Sequence, residues 1–165
     1  MLRRSFLAAG VAAAAAAQSV GQAFELDELS ISQLSDGLRS GRWTSRRLTE
    51  LYLQRIEALD RRGPELRAVI ELNPEAQADA ERLDRERKAG GGKGPLHGIP
   101  ILIKDNIDVA GRMSTTAGSL ALERWSPKQD AFIVTRLRAA GALILGKANL
   151  SEWANITVLK TNKLM

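Results

Sequence analysis

Apolar positions recur first at helical spacing and later in short unbroken runs, and the change of texture falls at a glycine-rich break. Leu29, Leu34 and Leu38 share one face of a helix predicted over Leu26–Arg39, which Gly41 stops. Thr44 is the expected N-cap of a second helix, because its hydroxyl can accept from an early backbone N–H. Leu48, Leu51, Tyr52, Ile56 and Leu59 hold the inner face of that helix until Gly63-Pro64 ends it. Leu66–Leu72 is a compact apolar stretch and predicts a strand. Pro74 opens a third helix with Ala76, Ala80 and Leu83 on one face and dense charge on the other. Gly90-Gly91-Gly92-Lys93-Gly94-Pro95 then breaks the pattern.

Past the break, Ile99–Ile103 is a nearly continuous apolar run, as expected of a strand buried on both faces. Met113–Ser119 is a loop rich in Ser, Thr and Gly. Asp130 is placed to cap a helix through Ala140, Gly141 stops it, and Ala142–Leu145 predicts a second buried strand. Strand, helix, strand in this order predicts an α/β core with a parallel pairing. There is no internal repeat. The resulting division is 1–23, a helical region 24–93, an α/β region 94–155 and a tail 156–165. The tail lacks a clear period and ends on Lys160-Thr161-Asn162-Lys163 and two further residues. A parallel strand at Ala142–Leu145 belongs inside a larger sheet than the remaining residues could complete, so the expectation is a truncated polypeptide.

The first 23 residues stand apart. Arg3-Arg4 precedes Ser5-Phe6-Leu7 and a small-residue run from Ala8 to Ala17, the parts of an export signal. Twin arginines with a mild apolar region resemble a Tat signal, although Leu2 stands where Ser or Thr is commoner. Cleavage after Ala23 or after Ser19 fits, and the expected destination is the bacterial periplasm. The alternative is an alanine-rich N-terminal helix. A membrane span needs ~20 strongly apolar residues, which this run does not supply, so no stable membrane insertion is expected.

An apolar share of 44% and a charged share of 26% fit a soluble globular protein. With aromatics at only 4%, the core must be built from Leu, Ile, Val and Ala. The formal charge is +5; of the 24 basic residues, Arg3 and Arg4 lie in the leader, and the other 22 face 19 acids, leaving +3. Those charges interleave over Arg61–Lys88 instead of forming a one-sign stripe, so nucleic-acid binding has little electrostatic support. The absence of cysteine excludes disulfides and thiolate metal sites.

Gly98-Ile99-Pro100-Ile101-Leu102-Ile103-Lys104-Asp105-Asn106 carries the strongest chemical signal. A lysine at the end of a buried strand is poorly solvated when charged, and a neutral amine is a competent general base. On the local pattern alone the favoured reading is that Lys104 simply turns into solvent as the strand ends. Gly141–Gly146-Lys147 approaches the spacing of a phosphate-binding loop, but Ala148 stands at its last position and a strand occupies its middle. His97, the single histidine, has no second ligand nearby and reads as a loop residue. Asn149-Leu150-Ser151 and Asn155-Ile156-Thr157 fit a glycosylation sequon that a bacterial source would not use.

Taken with Lys104-Asp105-Asn106, the segments Gly94-Pro95-Leu96-His97-Gly98-Ile99-Pro100, Thr116-Ala117-Gly118-Ser119, Leu137-Arg138-Ala139-Ala140-Gly141-Ala142 and Gly146-Lys147-Ala148-Asn149-Leu150-Ser151-Glu152-Trp153 closely resemble the amidase-signature family. The resemblance is continuous over 94–155 and weaker over 26–93, and Asn149–Asn155 looks most like the peptide-amidase branch. It implies an α/β fold, the N-terminal part of a mixed sheet flanked by helices. It also implies hydrolysis of linear amide bonds without a metal or organic cofactor. In that family a serine attacks the carbonyl, a second serine held by a cis peptide relays the proton to a lysine, and backbone N–H groups form the oxyanion hole. Lys104 matches the family lysine. The serines belong to a downstream Gly-Ser-Ser-Gly-rich segment that this sequence does not contain, and Ser114, Ser119 and Ser151 lie outside that context. The chain alone is therefore expected to be inactive. The implied substrate is a small amide or peptide amide. The rival readings are a noncatalytic fragment or pseudoenzyme, and the glutamine-hydrolysing component of a tRNA amidotransferase, against which the export signal argues.

Overall fold

In the computed structural model, which describes residues 24–154, helix α1 spans Ile31–Ser40. It begins five residues later than the apolar spacing suggests, because Ser30 is the stronger start. The Ser30 hydroxyl accepts from the Gln33 N–H while the Gln33 side chain accepts from the Ser30 N–H, a reciprocal capping box. Gly41 closes the helix in the left-handed region at φ +77. Thr44 caps α2, Ser45–Ile56, as expected.

The chain then widens into a single π turn, Glu57–Arg61, which brings Asp60 inward until it is buried. Asp60 accepts from the Ala68 and Val69 N–H groups, while Leu66 and Arg67 donate to the Leu59 and Asp60 carbonyls. Residues 66–68 therefore spend their N–H groups on this turn, and strand β1 starts only at Val69, running to Leu72. Helix α3 is Ala76–Lys88, with Ala76, Ala80 and Leu83 buried as the spacing predicts. Its charged face is not wholly solvated. Asp84 accepts from the Ser45 and Arg46 N–H groups at the start of α2, and Arg87 donates to the His97 carbonyl at 2.6 Å.

Strands β2, Pro100–Lys104, and β3, Leu143–Ala148, flank helix α4, Phe132–Ala139. Asp130 does not cap α4; the N-cap is Ala131, without a side-chain bond. Its carboxylate instead accepts from the Ala110 N–H at 2.7 Å and pairs with Arg138 at 3.0 Å. Gly141 stops the helix at φ +88, where an added Cβ would lie 2.6 Å from the His97 Cα.

The described strands form one mixed sheet in the order β1-β3-β2, with β2 parallel and β1 antiparallel to β3. Alternation along the central β3 serves two cores. Leu143 and Leu145 pack with α3 residues Ala76, Ala80 and Leu83, whereas Ile144 joins Ile103, Val109, Met113 and Val134 on the other face. A third cluster ties Leu34 and Leu38 of α1 to Trp43, Leu48, Leu51 and Ile99. The expectation that Ile99–Ile103 is buried on both faces fails for β2. This strand lies at the edge of the described sheet, with Ile103 buried and Leu102 41% exposed.

Leu120, Trp125, Phe132 and Ile133 are also more than half exposed. Single exposed apolar residues are ordinary, but with an open strand edge they favour association. The 165-residue chain on its own should bind a hydrophobic dye strongly and aggregate. A sharp melt of a soluble, dye-free monomer is the contrary result.

Candidate functional site

The carboxyl ends of β2 and β3, the loop from Met113 to Ser119 and the turn after β3 meet at one edge of the sheet. Lys104 is the last residue of β2, in register with Ala148. Its side chain is exposed, on the Leu102 face and away from buried Ile103. Solvation, not burial, is thus its environment among the described residues, which corrects the desolvation expected at this strand end.

The desolvated lysine is Lys147, one strand over. It is fully buried, as is Asp105 immediately after Lys104. The Lys147 Nζ donates to the Ile107 carbonyl and to the Thr115 Oγ1, each at 2.8 Å, and lies 3.5 Å from the Asp105 carboxylate. Burial lowers its pKa, and the charges of Asp105, Asp108 and Glu71 oppose that shift.

Asp105 is tied through its backbone and through one carboxylate oxygen, while the other oxygen faces Lys147 without a hydrogen bond. Its N–H donates to the Ala148 carbonyl at 3.0 Å, and its own carbonyl accepts from the Ala117 N–H at 3.1 Å. Its carboxylate accepts from the Thr116 N–H at 3.2 Å and from the Thr116 hydroxyl. The Thr116 hydroxyl in turn accepts from the Gly118 N–H at 3.1 Å. One line of contacts therefore runs from β3 through Asp105 into the 115–119 loop.

That loop walls a cleft of about 430 Å³ lined by Ile70, Glu71, Ser114, Thr116, Gly118, Ser119, Leu120, Glu123, Asn149 and Leu150. Glu71 fixes its rim by accepting from the Ser114 N–H at 2.8 Å. Ser114 and Ser119 line the cleft, while Ser151 is exposed in the turn after β3. His97 is a loop residue, as read from the sequence, and its ring is buried. Nδ1 accepts from the Lys93 N–H at 3.2 Å, so Nε2–H donates to the Leu83 carbonyl at 2.9 Å, fastening the glycine-rich break to α3. No cluster of three or more His, Cys, Asp or Glu side chains able to hold a metal occurs among the described residues.

The sequence singled out Lys104 but passed over Lys147 and Asp105. The signal for Lys147 was present: it follows Ala142-Leu143-Ile144-Leu145-Gly146, the same lysine-after-apolar-run pattern used for Lys104.

A mixed sheet with helices on both faces, and a lysine-aspartate step at the end of a parallel strand, define the N-terminal part of an amidase-signature α/β fold. The chain belongs to the amidase family, whose model matches residues 47–163. The native peptide amidase of Stenotrophomonas maltophilia superposes with a TM-score of 0.78 at 56% identity, over 81% of this chain and 27% of that one. A probable amidase of Arabidopsis thaliana is 47% identical over 134 residues, 80% of this chain and 26% of its own length. A glutamyl-tRNA(Gln) amidotransferase component from a Synechococcus strain is 41% identical over 127 residues, 76% of this chain and 25% of its own. The chain thus spans about a quarter of the length of the relatives it matches. The segments 1–23 and 156–165, which carry the export-signal and truncated-tail expectations, lie outside the described residues.

Proposed function

We propose that this chain is the base-bearing segment of an exported amidase that hydrolyses linear carbon–nitrogen bonds, with Lys104 as the proton acceptor. The observation that carries the reading is the position of Lys104. It ends a parallel strand beside a fully buried Asp105, in a chain 56% identical to a peptide amidase over this segment. A hydroxyl nucleophile is weak until a neighbouring base takes its proton, so a lysine at this strand end meets serines supplied from elsewhere in the fold. The nucleophile and its relay are the two serines that the family resemblance implies. The substrate class is a small amide or peptide amide, and 1–23 directs the protein to the periplasm by the Tat route.

The test is a chimera in which residues 24–154 replace the matching segment of the Stenotrophomonas maltophilia peptide amidase. By the family resemblance that enzyme would supply the serines, and this chain the lysine. Amide hydrolysis by the chimera supports the reading; a folded but inactive chimera favours the noncatalytic relic. The amidotransferase relative keeps a second reading open, glutamine hydrolysis for a partner enzyme. Export separates the two. Residues 1–23 fused to a reporter should carry it to the periplasm, and Arg3→Lys with Arg4→Lys should strand it in the cytoplasm. A reporter held in the cytoplasm by the intact leader would favour the amidotransferase.

A further inference from the structure

We infer that Asp105 and Lys147 are positioning residues for Lys104, and that the Thr116 hydroxyl carries the same tether to the wall of the cleft. The inference rests on the amidase reading above and adds to it the residues that set the geometry of its base.

Asp105 adjoins Lys104 in the chain, so whatever fixes Asp105 fixes the backbone from which the Lys104 side chain projects. Four contacts do so: its N–H to Ala148, its carbonyl from Ala117, its carboxylate from Thr116, and Lys147 at 3.5 Å. A buried charge pair is a poor source of stability compared with well-packed apolar residues of the same volume. Holding one between two strand ends makes sense where direction matters, since the charged hydrogen bonds that anchor its members, from Thr116 to Asp105 and from Lys147 to Ile107 and Thr115, impose geometry that apolar packing does not. Lys147 and Asp105 lie on the Ile103 face of the sheet, opposite Lys104, so they can orient the strand end without competing for substrate. Thr116 passes the constraint on. Its hydroxyl donates to Asp105 and accepts from the Gly118 N–H, and both Thr116 and Gly118 line the cleft. Base and cleft wall thus hang from one carboxylate.

Two ends of the tether can be cut separately in the chimera. Asp105→Asn keeps the shape and removes the charge beside Lys104; it should lower kcat about 10–100-fold with KM within about threefold, as for a misplaced base. Thr116→Val leaves the Asp105–Lys147 pair intact and frees the cleft wall. It should raise KM about tenfold with kcat within about threefold, and Thr116→Ser should restore KM. Hydrogen exchange reads the tether without turnover: Thr116→Val should speed exchange at Gly118 while the amides of Leu143–Ala148 stay protected. Variants that lose only melting temperature, with kcat and KM per folded molecule unchanged, would make the pair merely structural and overturn the inference. Unchanged exchange at Gly118 would overturn it even in an inactive chimera. Full activity in Lys104→Ala, with the exchange pattern as expected, would instead leave the tether standing and remove the assigned base.

Discussion

Lys104→Ala in the chimera should abolish amide hydrolysis while leaving the fold intact. Within the described segment the side chain is exposed at the end of β2, so its removal empties no core of that segment and strands no buried partner in it. Losing a general base typically costs ~10²–10⁴ in rate, and more where nucleophile, relay and base act as a unit. Lys104→Arg should be nearly as damaging. A guanidinium remains protonated and cannot accept the proton that the serine pair must lose, although it matches lysine in charge and reach. The measurement is kcat/KM for a simple amide, set beside a melting curve for each variant. Full activity in either variant would remove Lys104 from the mechanism. The 165-residue chain alone should hydrolyse no amide, because it brings a base and no serine pair.

Much of this arrangement is legible in the sequence, and the failures have a common physical origin. Thr44, Gly41, Gly141 and the Ala76-Ala80-Leu83 face were readable because caps, left-handed stops and helical stripes are encoded within a few residues. The parallel pairing of β2 with β3 followed from strand, helix and strand in order. Three readings failed where a distant group competed. Asp130 left the helix N-terminus for Ala110 and Arg138, the turn at Leu59–Asp60 took the Leu66, Arg67 and Ala68 N–H groups that would have lengthened β1, and β2 took an edge position in the described sheet that exposes Leu102. The two lysines are the clearest case. Both follow an apolar run, and the sequence cannot say which strand is central. Among the described residues the sheet order decides: β3 is flanked on both sides and buries Lys147, whereas β2 lies at the edge and leaves Lys104 in solvent. The proposed base came from the family resemblance; its proposed support was hidden because an aspartate and a lysine 42 positions apart meet only after the strands pair.

Cutting that support on one side only should also destabilise the segment strongly. Lys147→Met preserves most of the side chain's volume and removes its charge, leaving the Asp105 carboxylate fully buried with only Thr116 for company. Breaking a buried pair by deleting one partner costs about 3–5 kcal/mol, since the remaining charge is uncompensated. Asp105→Asn combined with Lys147→Met should recover a good part of that loss, because two neutral groups carry no unpaired charge into the interior. The pH dependence supplies an independent check. Burial depresses the Lys147 pKa below its unfolded value, so at alkaline pH the unfolded chain binds more protons than the native one. Stability therefore carries a contribution that is complete above the unfolded lysine pKa, near ~10.4, and is lost as pH falls toward the depressed native value. Denaturation midpoints of the chimera measured across that window should show a rising component with pH that disappears in Lys147→Met. A Lys147→Met chimera as stable as its parent, with the same alkaline slope, would mean that the Asp105 carboxylate is satisfied by Thr116 alone.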